Sequence, residues 1–119
     1  MHNISNLGLA YIGDGVYELL VRERVCGVGA PSAGKMHKEA VKYTNAVAQA
    51  GYSRKMEPLL TEEERGVWRR GRNANSVRVP KNASEGEYHL ATALEAVFGW
   101  LYLNGSTERI RELFGQIVS

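Results

Sequence analysis

Two stretches of this chain are almost free of charge, and each is interrupted by a single acid. From Ile4 to Tyr17 the only charged side chain is Asp14, and from Leu90 to Leu103 it is Glu95. Segments this apolar must line a core, and a carboxylate placed among them is costly unless it is paired, protonated or bound to a metal. Asp14 also sits between Gly13 and Gly15. A glycine inside a helix costs roughly 0.5–1 kcal/mol relative to alanine. Two of them together imply that another backbone, or a ligand, comes close.

The rest of the chain reads as helices around these two. Apolar residues at helical spacing (Leu7, Ile12, Val16, Leu19, Leu20) predict a first helix over about 5–24. A Gly- and Pro-containing segment, Gly27 to Gly34, follows as a loop. Met36, Ala40, Tyr43, Val47 and Ala50 predict a second helix over about 35–56, broken near Gly51 and ended by Pro58. Thr61 with Glu64, and Ser84 with Glu87, are capping-box patterns that open two more. Asn104-Gly105 stops the second of these. Ser106 or Thr107 then caps a last helix that turns Ile110, Leu113, Phe114 and Ile117 to one side.

The expectation is an all-α fold, a compact helical bundle of five helices. The 119 residues make one domain, 1–119, with no linker or repeat. A lone cysteine, Cys26, excludes an internal disulfide and reads as a packing residue at a helix end. No secretory leader is visible, and no apolar run reaches the ~18–20 residues of a membrane span. The expected setting is the cytoplasm, with no membrane.

Charge is unevenly distributed. Six basic residues and no acid lie between Arg65 and Ser84, so the remainder of a chain with formal charge +2 is net negative. Such a segment suits a directed anionic partner. One carboxylate from each of two helices can share a divalent cation, and Mg²⁺ takes a few carboxylates, waters and substrate phosphate. Such a site can activate water and stabilise charge during attack on a phosphodiester. An acid pair salt-bridged to nearby arginines is the plain structural alternative. Acid pair and basic segment together have the footprint of a nuclease.

At these residues the chain resembles a known family. Leu9-Ala10-Tyr11-Ile12-Gly13-Asp14-Gly15-Val16-Tyr17 resembles the ribonuclease III signature helix. Leu94-Glu95-Ala96-Val97-Phe98-Gly99-Trp100-Leu101-Tyr102-Leu103 is similar to the family's second acidic helix. Arg69-Arg70-Gly71-Arg72-Asn73-Ala74-Asn75-Ser76 and Val79-Pro80-Lys81-Asn82 resemble the basic loop of Mini-ribonuclease III, the subfamily with the catalytic domain alone. The likeness spans about Leu7 to Val118. It implies a ribonuclease III-type endonuclease domain without a double-stranded RNA-binding domain, acting as a homodimer on double-stranded RNA. The cofactor would be Mg²⁺, with Mn²⁺ able to substitute, and the products would carry 5′-phosphate and 3′-hydroxyl ends. The implied substrate is the stem of the large-subunit (23S) ribosomal RNA precursor, with a ribosomal protein as a candidate helper.

Position by position, the resemblance makes Asp14 and Glu95 the catalytic, metal-binding acids. Two departures stand out: full-length members carry acids where this chain has Ala10 and Thr92. Glu18 and Thr92 could orient a metal-bound water, although an exposed or arginine-paired Glu18 is the plainer reading. The candidate RNA-binding residues are His37, Lys38, Arg69, Arg70, Arg72, Asn73, Arg78 and Lys81. The near-uncharged face around Leu7, Tyr11 and Trp100 is a candidate dimer interface, with core packing as the alternative. A fold that kept RNA binding and lost the chemistry is the rival reading, supported by Ala10 and Thr92. A protein-interaction domain with incidental basic charge is a weaker third.

Overall fold

In the computed structural model, which describes residues 3–29, 32–74 and 84–119, six α-helices and one 3-10 turn carry the chain. They are α1 (Asn6–Gly27), α2 (Ala33–Thr44), α3 (Ala46–Met56), the 3-10 turn Glu57–Leu59, α4 (Glu62–Arg72), α5 (Glu85–Leu103) and α6 (Thr107–Val118).

Local chemistry sets most of these ends. Ser5, Ser32 and Asn45 each accept a bond from a first-turn amide of α1, α2 and α3. Both capping boxes form: Thr61 with Glu64 opens α4, and Ser84 with Glu87 opens α5. Gly105, at φ 71°, lets the chain leave α5 in the left-handed region. Ser106 caps α6 without a side-chain bond.

The expected second helix is two helices, and the break is at Asn45 rather than Gly51. Asn45 is extended (φ −68°, ψ 156°); its N–H closes α2 on Val41 and its Oδ1 opens α3 on Ala48. One residue thus finishes one helix and starts the next, which resets the helical phase. Val47 is exposed as a result, while Gln49, Ala50, Ser53 and Met56 turn inward. On α1 the buried stripe is Ala10, Gly13, Tyr17, Leu20, Val21 and Val25, so Leu7 and Leu19, expected on the apolar side, stand on the outer one. Cys26 is exposed as well, with its thiol 4.0 Å from Met36 Sδ, not a packed residue.

Helix α5 is the central element. It packs against α1, α3, α4 and α6 and buries Ala93, Leu94, Ala96, Val97, Phe98 and Leu101. Tyr17 is fully buried against Phe98 and Phe114, and its hydroxyl donates to the Tyr43 carbonyl. Trp68 Nε1 donates to Ser53 Oγ, tying α4 to α3. Glu64, buried at the start of α4, accepts two bonds from Arg109 of α6 at 2.8 and 2.9 Å. Among the described residues no helix is long and apolar enough to cross a membrane.

Candidate metal and nucleic-acid site

The site begins where α1 and α5 cross. A Cβ built on Gly13 would stand 1.6 Å from the Glu95 carbonyl oxygen, and one on Gly99 would stand 1.9 Å from that of Leu9. The two backbones therefore touch, and only glycine permits it. The contacts run in opposite chain directions, Leu9 with Gly99 and Gly13 with Glu95, so the helices are antiparallel. The close approach expected from the glycines around Asp14 is thus correct for Gly13. At Gly15 an added Cβ would meet nothing within 4 Å.

Asp14 follows the contact residue of α1, and Glu95 is the contact residue of α5. The crossing brings their carboxyl groups within hydrogen-bonding reach of one another. Asp14 is exposed and Glu95 half-buried, so the pair has a dry inner member and a wet outer one. Burial pushes the Glu95 carboxyl up to about 8, and the adjoining Asp14 pushes the same way. One bond opposes them: Gln49 of α3 donates Nε2–H to Glu95 Oε2 at 3.3 Å. Burial and the neighbouring acid thus both disfavour charge on Glu95 when no cation is there to offset it. Among the described residues no arginine or lysine forms an ion pair with either acid.

A divalent cation suits this donor set. Two hard oxygens from separate helices converge, with no ion pair to a cationic side chain among the described residues, and the exposed side leaves room for water and phosphate. The set is small. Among the described residues no group of three or more His, Cys, Asp or Glu is placed to hold a metal. Glu18 pairs with Arg22 at 3.4 Å, as the plainer reading had it. Thr92 is buried and its hydroxyl donates to the Tyr88 carbonyl at 2.9 Å, a bond within its own helix.

The basic residues divide by direction. Arg69, Arg70 and Arg72 are exposed on the last turn of α4, where cations also suit the helix dipole. Arg72 stacks 5.1 Å from the Trp68 ring centroid and bonds Asn73, the residue that closes α4. Arg65 belongs to the same charged segment but points inward, to the Glu57 carboxylate at 2.7 Å and to the Glu57 and Leu60 carbonyls. Gly71 packs against Ala93 and Ala96, so the basic end of α4 lies level with Glu95 along α5, on a different side of it. His37 and Lys38 are exposed on α2; His37 lines a cavity of about 280 Å³ with Glu18, Arg22, Cys26 and Met36. Arg78 and Lys81 lie outside the described residues.

Sequence reasoning did not find Gln49. Its signal was faint: one long polar side chain among Ala46, Val47, Ala48, Ala50 and Gly51. Tyr11 is 83% exposed and Leu7 39%, while Trp100 packs partly against the core, so the proposed interface face is only partly used inside the chain.

Comparison with known proteins gives the family. Residues 7–106 match the ribonuclease III domain family. The Mini-ribonuclease 3 of Symbiobacterium thermophilum is 45% identical over 107 residues, covering 90% of this chain and 82% of that protein. The Mini-ribonuclease 3 of Brevibacillus brevis is 44% identical over 115 residues, covering 96% and 86%. A crystal structure of a Fusobacterium nucleatum protein superposes with a TM-score of 0.88 at 30% identity, covering 97% of this chain and 93% of that one. With an acid on each of two touching helices and a family match over most of its length, the chain belongs to the ribonuclease III family, in its Mini-ribonuclease 3 branch.

Proposed function

We propose that this chain, an endoribonuclease of the ribonuclease III type by its family, cleaves double-stranded RNA with Mg²⁺ held between Asp14 and Glu95. The observation that carries the proposal is the convergence of these two carboxyls at the crossing of α1 and α5. A bound Mg²⁺ supplies Lewis-acid activation of water and neutralises charge on the phosphodiester. Glu95 contributes the buried, oriented oxygen; Asp14 contributes the accessible one, nearest the incoming phosphate. Mn²⁺ offers the same charge and oxygen preference and should substitute.

Arg69, Arg70 and Arg72, with Arg78 and Lys81 further along the chain, hold backbone phosphates, and Asn73 reaches sugar hydroxyls. His37 and Lys38, both exposed on α2, extend the contact. A-form RNA is read by shape and 2′-hydroxyls across its shallow minor groove, which suits such non-specific donors. One centre cuts one strand, so cutting both strands calls for a two-fold homodimer; exposed Tyr11 and Leu7 are its anchor residues. The substrate we assign is the double-stranded stem of the 23S ribosomal RNA precursor, cut in the cytoplasm to 5′-phosphate and 3′-hydroxyl ends, with a ribosomal protein as helper.

Asp14→Asn tests the proposal. Cleavage of a plain RNA duplex in Mg²⁺ should collapse, since a metal ligand is lost. Duplex binding in Ca²⁺ should remain. Equal cleavage by both forms refutes the site, and binding without metal-dependent cleavage in the unsubstituted chain favours the non-catalytic rival.

A further inference from the structure

Glutamine 49 is 6% exposed, on a stretch of α3 otherwise made of Ala, Val and Gly. Burying a primary amide is unfavourable unless it is hydrogen-bonded. The bond the structure gives it runs 46 residues along the chain, from Nε2 to Glu95 Oε2 at 3.3 Å. Nothing in the packing of α3 requires an amide there, because Ala50, Ser53 and Met56 already seat the helix.

We propose that Gln49 is a positioning residue for the metal site: its amide N–H holds one oxygen of Glu95, fixes the carboxylate's orientation, and leaves the other oxygen for the cation. This rests on the reading of Asp14 and Glu95 as a metal-binding pair. Three physical points carry it. A glutamate side chain has three rotatable bonds, and ordering it at the moment of metal binding would subtract from affinity. The donor is neutral, so it aligns Glu95 without cancelling the negative charge that attracts a dication; a lysine or arginine in that place would cancel it. The support is also rigid. Ser53, one turn beyond Gln49 on α3, accepts from Trp68 of α4, and Asn45 caps the helix one turn before it. The helix that carries the amide is thus pinned on both sides of it.

Partners of this kind orient metal ligands elsewhere, and losing one costs about 10- to 100-fold in metal affinity or activity. With two carboxylates in the site, as against larger acid clusters, each ligand's orientation has more to supply.

The test is Gln49→Met, which keeps the length and volume of the side chain and removes the donor. Three quantities are measured on the full chain: Mn²⁺ binding without RNA by electron paramagnetic resonance, the Mg²⁺ concentration that half-saturates cleavage, and kcat and KM for a duplex. The expected result is Mn²⁺ binding weaker by about tenfold or more and a matching rise in half-saturating Mg²⁺. The duplex KM at saturating Mg²⁺ should be unchanged. Thermal unfolding of the metal-free protein checks folding. If Gln49→Met matches the unsubstituted chain in both metal readouts, or only its unfolding temperature moves, the inference is overturned while the metal pair stands. If the unsubstituted chain itself shows no metal-dependent cleavage and no Mn²⁺ binding, the metal pair falls, and Gln49's role with it.

Discussion

Gly13 and Gly15 flank the same aspartate, and alanine at the two positions should act in opposite directions. At Gly13 the added methyl would begin 1.6 Å from the Glu95 carbonyl oxygen, 2.5 Å from its carbon and 2.8 Å from the Gly99 nitrogen. A carbon–oxygen contact settles at roughly 3.3 Å. All three atoms are helix backbone and cannot rotate away, so α1 and α5 must part by about 1.7 Å at their crossing. Overpacking of this kind costs about 1–3 kcal/mol, and more where the backbone must move. The gain in helix propensity returns about 1 kcal/mol. With a rigid backbone as the obstacle the cost sits at the top of that range, so the net loss for Gly13→Ala should be about 2 kcal/mol, or roughly 8 °C in unfolding temperature for a domain of this size. At Gly15 the methyl enters open space, and Gly15→Ala should stabilise by about 0.5–1 kcal/mol. Urea unfolding followed by circular dichroism measures both, at equal m-value. Since Asp14 moves with Gly13 while Glu95 is the residue displaced, Gly13→Ala should also lose cleavage at temperatures where it is still folded. Gly13→Ala as stable as the unsubstituted chain, with full activity, would refute the backbone contact and the site built on it.

Four further outcomes follow from particular contacts. Arg72→Ala and Lys81→Ala should each weaken duplex binding whatever the sequence and lower the slope of log affinity against log salt by about 1, measured by filter binding across a salt series. Arg65→Ala should leave that slope alone and lower the unfolding temperature, because its guanidinium is spent on Glu57 and two carbonyls. Arg109 holds the Glu64 carboxyl below its ordinary range, so the pair adds stability above the unfolded carboxyl's pKa and loses it as pH falls through the lowered folded value; Glu64→Gln, which keeps the capping box, should cost about 1–3 kcal/mol at pH 7 and flatten the acid side of the stability profile. Light scattering should give a dimer, and Tyr11→Asp, at an 83% exposed position, should give a folded monomer.

The elements legible in the sequence were those whose signal is local. Two capping boxes opened helices at Thr61 and Ser84, and the one-sided pattern of Ile110, Leu113, Phe114 and Ile117 is buried as read. Asp14 and Glu95 stood out because a charge in an apolar run is conspicuous. What escaped depends on phase or on direction in space. Asn45 is an ordinary residue until its backbone turns extended, and then every later position of the helix points elsewhere. Arg65 looks like its neighbours Arg69 and Arg70, yet Glu57, eight residues earlier, draws it inward. Gln49 needs the tertiary pairing of α3 with α5 before its amide has any meaning.

The small acid count follows from the packing that makes the site. The resemblance to full-length members of the family implies acids where this chain has Ala10 and Thr92, and here both positions are buried, at 6% and 4% exposure. A carboxylate at either would be added beside a pair that already strains to hold two charges, with Glu95 pushed up to about 8. The backbone contact at Gly13 and Gly99 leaves little room to separate them. Ala10 instead joins the core, and Thr92 is buried with its hydroxyl satisfied within α5. A close crossing with few acids carries little charge repulsion to offset, and it leaves two carboxylates to hold the proposed ion. A crossing with more acids would carry repulsion that a bound cation would have to offset. The position of Gln49 fits the first arrangement, since it orients one of the two remaining acids and brings no charge of its own.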